Sequence, residues 1–173
     1  MARSVTLRDK VTWPKLYKTY VRPHLEYAVQ AWNPWTEADK AVLEKVQEQA
    51  LRYVSGTQGK SYDEKLHATG MTTLEARRCR GDMIQVYKYL HNKQAVNPRK
   101  LFSLKQDTAV RTTRLSARPY ALNEIDCRTD PRRHSFTARV VRQWNELPDE
   151  LHHATSVDAF KNRYDKLFNN LDA

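Results

Sequence analysis

Apolar residues recur at three- and four-residue intervals over most of this chain, the period of a helix that buries one face. Runs that alternate apolar with polar, as a half-buried strand would, are scarce. The pattern predicts an all-α fold. A first helix is expected to open at Pro14, with Thr12 or Trp13 just outside it, because proline suits the first helical position. It carries two apolar stripes, Leu16, Tyr20, Tyr27 and Ala31 on one and Tyr17, Val21, Ala28 and Trp32 on the other. Two stripes predict a central helix wedged between neighbours and bent at Pro23.

Asn33-Pro34-Trp35 interrupts the pattern, and Thr36 with Asp39 resembles a capping box for a second helix that runs to about Ser55. Its expected inner stripe is Ala38, Val42, Val46, Ala50 and Val54, with Gly56 just past the end. Ser61 and Glu64 form a full capping-box pair for a short third helix ending near Gly70. Thr72 and Glu75 do the same for a long fourth helix that buries Cys79, Met83, Val86, Tyr87 and Leu90. Gly81 inside that helix predicts either a close approach of another backbone or a local bend.

From about Lys105 to Pro131 no apolar period survives, and Arg111, Arg114, Arg118 and Arg128 stand among Thr, Ser and Pro. The expectation is an irregular basic connector. Asp130-Pro131 then starts a helix with Phe136, Val140, Val141, Trp144 and Leu147 on one face, which Leu147-Pro148 stops. A last helix from Thr155 or Ser156 presents Val157, Phe160, Tyr164, Leu167, Phe168 and Leu171. The predicted organisation is a three- to four-helix bundle over 1–104, the basic connector over 105–131, and a helical hairpin over 132–173.

With 173 residues and a net charge of +10, the chain has room for one domain or two small lobes, and its charge favours an anionic partner, nucleic acid before a membrane surface. Two cysteines, Cys79 and Cys127, make no disulfide framework, and the six histidines have no metal-binding spacing. No cofactor is implied. No apolar run nears the roughly 20 residues that span a bilayer, and no signal-peptide core opens the chain, so an intracellular protein, nuclear or cytoplasmic, is expected. The adjacent acids Asp63-Glu64 and Asp149-Glu150 are poor metal clamps, because neighbouring side chains on a helix diverge. No Gly-rich phosphate loop and no nucleophile motif occurs. The chain reads as non-catalytic, with no small-molecule substrate.

Several blocks stand in a fixed order: Leu16–Ala28 (LYKTYVRPHLEYA) with Trp32, Leu43–Gln47 (LEKVQ), Ser61–Leu66 (SYDEKL), Leu74–Ile84 (LEARRCRGDMI), Arg132–Pro148 (RRHSFTARVVRQWNELP) and Ser156–Tyr164 (SVDAFKNRY). Together they resemble the C-terminal region of reverse transcriptases of non-LTR, LINE-type, Jockey-like retrotransposons, over nearly the whole chain. The sequence departs from that pattern at His134, where family members often carry an aromatic or another apolar residue. By this resemblance residues 14–92 correspond to the thumb, which grips the backbone of a template–primer duplex, and the palm with its catalytic aspartates would lie upstream.

What the resemblance implies is binding of RNA or an RNA–DNA duplex, with contacts to phosphates from Lys and Arg. The candidates are Arg22, Lys40, Lys45, Arg52, Lys60, Arg77, Arg78 and Arg80 in the thumb, with Arg77, Arg78 and Arg80 preferred because they spread charge around one helical turn. A second cluster is Arg128, Arg132, Arg133, Arg139 and Arg142. Arg132 and Arg133 sit at a helix start, where the macrodipole disfavours cations, so they gain nothing locally. Trp13, Trp32 and Trp144 lie on apolar stripes and are expected in the core, and Trp35 is the least committed. The competing reading is a helical protein-interaction module, or a relic of such an element, which self-associates through a surface meant for the palm.

Overall fold

The computed structural model describes residues 8–108 and 118–169. Among these the chain is all-α, with eleven α-helices, no strand and a single bridge between Leu104 and Leu122. It divides into two compact units, Met1–Cys79 and Arg80–Ala173. That boundary falls within a helix, whereas the periodicity placed the divisions after 104 and after 131.

The first unit opens with α1 (Thr12–Tyr20), α2 (Arg22–Glu26) and α3 (Val29–Trp32). The carboxylate of Asp9 starts α1 by accepting from the backbone N–H groups of Val11 and Thr12 at 2.8 and 2.7 Å. The expected single bent helix is therefore three short ones. Pro23 sits in the first turn of α2, where its missing N–H costs nothing, so it begins a helix instead of kinking one. Tyr27 is then extended and Ala28 left-handed, at φ 53°, a conformation alanine does not advertise.

Helix α4 (Glu37–Leu51) is capped by Thr36, whose hydroxyl accepts from the Asp39 N–H. Its buried face is not the predicted stripe. Val42 and Val46 are exposed, and Gln47 and Leu51 are buried in their place. Gln47 is the reason: its amide nitrogen donates to the Tyr62 hydroxyl and to the Thr72 carbonyl, both at 3.0 Å, and these two bonds hold that face of the helix inward although its Oε1 makes none. Trp13, Tyr17, Leu51, Val54, Leu66 and Met71 form the core of the unit, and the Trp13 indole donates to the Ala50 carbonyl at 2.7 Å.

Helix α5 (Tyr62–Thr69) has the full Ser61/Glu64 capping box and ends at Gly70 in the left-handed region, as predicted. Helix α6 (Leu74–Leu90) starts one residue later than expected, with the Thr73 hydroxyl accepting from the Ala76 N–H and the Glu44 carboxylate accepting from the Leu74 N–H. Cys79 is half-buried, not core. A Cβ on Gly81 would meet nothing within 4 Å, so no close approach requires the glycine. Gly81→Ala is expected to raise stability by about 0.5–1 kcal/mol, read as a higher urea midpoint; a lower midpoint would mean the glycine has a structural task.

The second unit holds a 3₁₀ turn (Pro98–Lys100), α7 (Lys105–Thr108), α8 (Asp130–Arg133), α9 (Phe136–Glu146), α10 (Asp149–His152) and α11 (Val157–Asn169). Met83, Val86, Tyr87, Phe102, Leu122, Val140, Val141, Trp144, Leu151 and Phe160 form its core. The predicted hairpin stripe is buried from Val140 to Leu147 and at Phe160 and Tyr164, while Phe168 is exposed and Leu171 lies outside the described residues.

The predicted connector is instead partly core. Arg111 and Arg114 lie outside the described residues, but Ala121 and Leu122 are buried. Their backbone is held on two sides. Lys105 N–H donates to the Ala121 carbonyl and Asn123 N–H to the Ser103 carbonyl, both at 2.8 Å. Across from these, the Asn145 side chain accepts from the Leu122 N–H and donates to its carbonyl, both at 2.9 Å. Two apolar residues make no period, so this anchoring leaves no trace in a hydropathy pattern.

Two histidines are built into the same core. His152 is buried, its Nε2 donates to the Leu147 carbonyl at 3.2 Å, and its ring meets Trp144 edge-on at 4.6 Å. His91 stacks on Tyr87 at 4.1 Å and lies 4.3 Å from Tyr120. Burial, first among the causes, pushes both below the ordinary value of 6.5. The unfolded chain therefore binds protons that the native state refuses, and stability is full above pH 6.5 and lost as pH falls below it. The urea midpoint should fall between pH 7 and pH 5, less steeply in His152→Gln; equal slopes would remove His152 from the account.

Candidate nucleic-acid interface

The predicted cations fall into distinct environments. In the first unit Arg22 and Arg77 converge on one carboxylate. Arg77 binds Glu26 through both Nε and Nη2, the latter at 3.0 Å, and Arg22 Nε stands 3.6 Å from the same group. Burial, then the charge of Arg77, pulls the pKa of Arg22 down. Lys18, which the sequence pattern did not single out, joins them: burial and then Arg22 and Arg77 lower its pKa, and its Nζ donates to the Gly70 carbonyl at 3.3 Å. Three half-buried cations thus share a region in which Glu26 neutralises one charge. That is an anion-attracting surface.

The other thumb candidates are less concentrated. Lys40 is held between Glu37 and Glu75, at 2.8 Å from each. Arg52 is exposed and pairs with Glu48 at 2.9 Å, and Lys45 and Lys60 are exposed. Arg78 is a correction. It is 2% exposed, with Nε and Nη1 making no hydrogen bond, so it is not on the surface. Leu74, Arg78 and Asp82 lie at successive i,i+4 positions of α6 and all are buried, which is the spacing the charge-based reading passed over.

In the second unit Arg80 clamps Asp165 of α11 through Nε and Nη2, the latter at 2.7 Å. Arg139 is likewise committed to the fold. Its Nε and Nη2 bind the buried carboxylate of Asp82 at 2.9 and 3.1 Å, its Nη1 donates to the His134 carbonyl, and its guanidinium lies over the Phe136 ring at 5.5 Å. It is a cation held inside the helix packing.

Arg128, Arg132 and Arg133 remain at the surface. Arg133 pairs with Asp130 at 3.0 Å, with both side chains mostly exposed, and such a pair is weak. Arg132 reaches Thr137 Oγ1 at 3.4 Å. Arg142, 83% exposed along its side chain, binds Glu146 one turn on. Arg132 and Arg133 close α8 in its last turn, where the dipole favours cations, instead of standing at the helix start that the pattern predicted, and Arg142 lies apart on the exposed side of α9.

The aromatic residues sort as sharply. Trp13 and Trp144 are buried in the two cores, but Trp32 and Trp35 are 39% and 48% exposed and Tyr27 is 79% exposed. The Trp32 indole donates to the Tyr27 carbonyl, which turns its ring outward instead of into the bundle. The adjacent acids have local tasks: Glu64 closes the α5 capping box, and Asp149 binds Arg118 at 2.9 Å.

No helix among the described residues is long and apolar enough to cross a membrane. No family model, no curated protein and no solved structure matches this chain.

Proposed function

We propose that this chain is a non-catalytic nucleic-acid-binding region, the thumb and post-thumb part of a non-LTR retrotransposon reverse transcriptase, which holds the backbone of an RNA or RNA–DNA template–primer. The sequence blocks support the family. The observation that carries the binding role is the exposed trio Arg128, Arg132 and Arg133 around α8, where a weak, exposed pair with Asp130 offsets one charge. The Lys18–Arg22–Arg77 region is the second contact surface.

The test is a fluorescence-anisotropy titration of the chain against a labelled RNA–DNA duplex at about 50 and 200 mM salt. Affinity is expected to fall by at least ten-fold over that range, since each neutralised phosphate adds roughly one to the log–log salt slope. Converting Arg128, Arg132 and Arg133 together to alanine should flatten the slope by about 2–3. Arg139→Ala and Arg80→Ala act through folding, so their effect on binding should follow their effect on stability. Absence of binding at the lower salt would sink the reading.

The exposed Tyr20, Tyr27, Trp32, Trp35 and Val42 favour a second reading, a helical protein-interaction module that associates through an apolar face. Salt would barely weaken that association.

A further inference from the structure

Ser135 is the N-cap residue of α9, extended at φ −61° and ψ 151°, yet its side chain caps no helix N–H. Its hydroxyl donates instead to the Arg132 carbonyl at 2.7 Å, in a solvent-exposed bond. Arg132 and Arg133 precede it by three and two positions. Arginines at those two positions before a serine are what arginine-directed protein kinases bind, through carboxylates that match the guanidinium fork. We propose that Ser135 is a phosphorylation site for such a kinase, and that the phosphate closes the Arg128–Arg132–Arg133 surface to nucleic acid. The second half rests on the binding function proposed above; the first half does not.

In the transfer, Ser135 Oγ attacks the γ-phosphorus of ATP. The new Oγ–P bond forms as the bond from that phosphorus to the β–γ bridging oxygen breaks, ADP leaves, and the hydroxyl proton passes to the kinase's base. The serine is within reach. Helix α8 spans four residues and rests on the Arg133 N–H to Thr129 carbonyl and the His134 N–H to Asp130 carbonyl bonds, both 3.0 Å. A single turn lacks cooperativity, so it opens to the extended form a kinase cleft needs while Val140, Val141 and Trp144 keep α9 seated.

The product state is favoured where it stands. The phosphate arrives at the N-terminus of an eleven-residue helix, whose first N–H groups lack intrahelical acceptors. Phosphorylation ends the donation from the Ser135 hydroxyl to the Arg132 carbonyl, which frees the side chain to turn toward those N–H groups, and the Arg139 guanidinium sits on the carbonyl of the preceding residue. Arg128, Arg132 and Arg133 less Asp130 leave a local charge of 3 − 1 = +2. A phosphoserine brings about −1.5 to −2, which cancels it.

The full chain would be treated with ATP and the catalytic subunit of cyclic-AMP-dependent protein kinase, then mapped by peptide mass spectrometry. One phosphate on Ser135 is expected, absent in Ser135→Ala and incorporated at least ten-fold more slowly when Arg132 and Arg133 are alanine. The phosphorylated chain should bind the RNA–DNA duplex about ten-fold more weakly at low salt, while kinase-treated Ser135→Ala binds as the untreated chain does. No phosphate on Ser135, or phosphate placed only elsewhere, overturns the site. Phosphate on Ser135 with unchanged duplex affinity overturns the closing of the surface. An unmodified chain that binds no duplex sinks the proposed function and the closing with it, and the mass shift alone then decides the site.

Discussion

Replacing Asp82 with alanine is expected to lower the unfolding free energy by about 3–5 kcal/mol, the cost of leaving a buried partner charge uncompensated. Asp82 and Arg139 are 4% and 16% exposed along their side chains, and the guanidinium makes two bonds to the carboxylate. Without the carboxylate, Arg139 loses both bonds to Asp82 while its bond to the His134 carbonyl and its place over Phe136 stay, and at 16% exposure solvent does not replace what is lost. Equilibrium urea unfolding checks the value. A loss under about 1 kcal/mol would place the pair among ordinary surface ion pairs. The double change Asp82→Leu with Arg139→Met removes both charges together, so it should cost less than either Asp82→Ala or Arg139→Ala alone.

Trp144→Ala should cost at least as much, about 3–5 kcal/mol from burial and cavity formation. Trp144 is fully buried, stacks on Phe160 at 6.1 Å between ring centroids, and meets His152 edge-on. Its indole N–H donates to the Tyr120 carbonyl at 2.9 Å, so truncation also leaves that acceptor unpaired. Trp32→Ala is the control: an exposed ring with an exposed hydrogen bond should cost under about 1 kcal/mol. Urea midpoints of the two variants decide it. Equal losses would mean that Trp32 is also a core residue. Duplex binding separates the roles further, because of the four tryptophans only Trp32 and Trp35 are exposed for stacking on a base.

These two variants show where a one-dimensional reading succeeds. The face of α9 that carries Trp144 is legible because five apolar residues repeat at helical spacing and Leu147-Pro148 ends the run. The α5 capping box, the Gly70 terminus and the Ser156 cap of α11, whose hydroxyl accepts from the Ala159 N–H, are legible for the same reason. Helix α4 is a different matter. Its valines follow the correct period but face solvent, because Gln47 finds the Tyr62 hydroxyl and the Thr72 carbonyl, 15 and 25 residues away.

The candidate site divides along the same line. That the chain is rich in arginine follows from composition; that Arg132 and Arg133 close the short α8 instead of opening a helix does not. Which arginines keep their charge for a partner does not either. Arg77 meets Glu26 across 51 residues, Arg139 meets Asp82 across 57, and Arg80 meets Asp165 across 85. Caps and helical periods act within a turn or two, so the residues themselves determine them. An ion pair or a buried face requires two distant segments to fold onto each other, and only the tertiary structure decides which carboxylate an arginine finds.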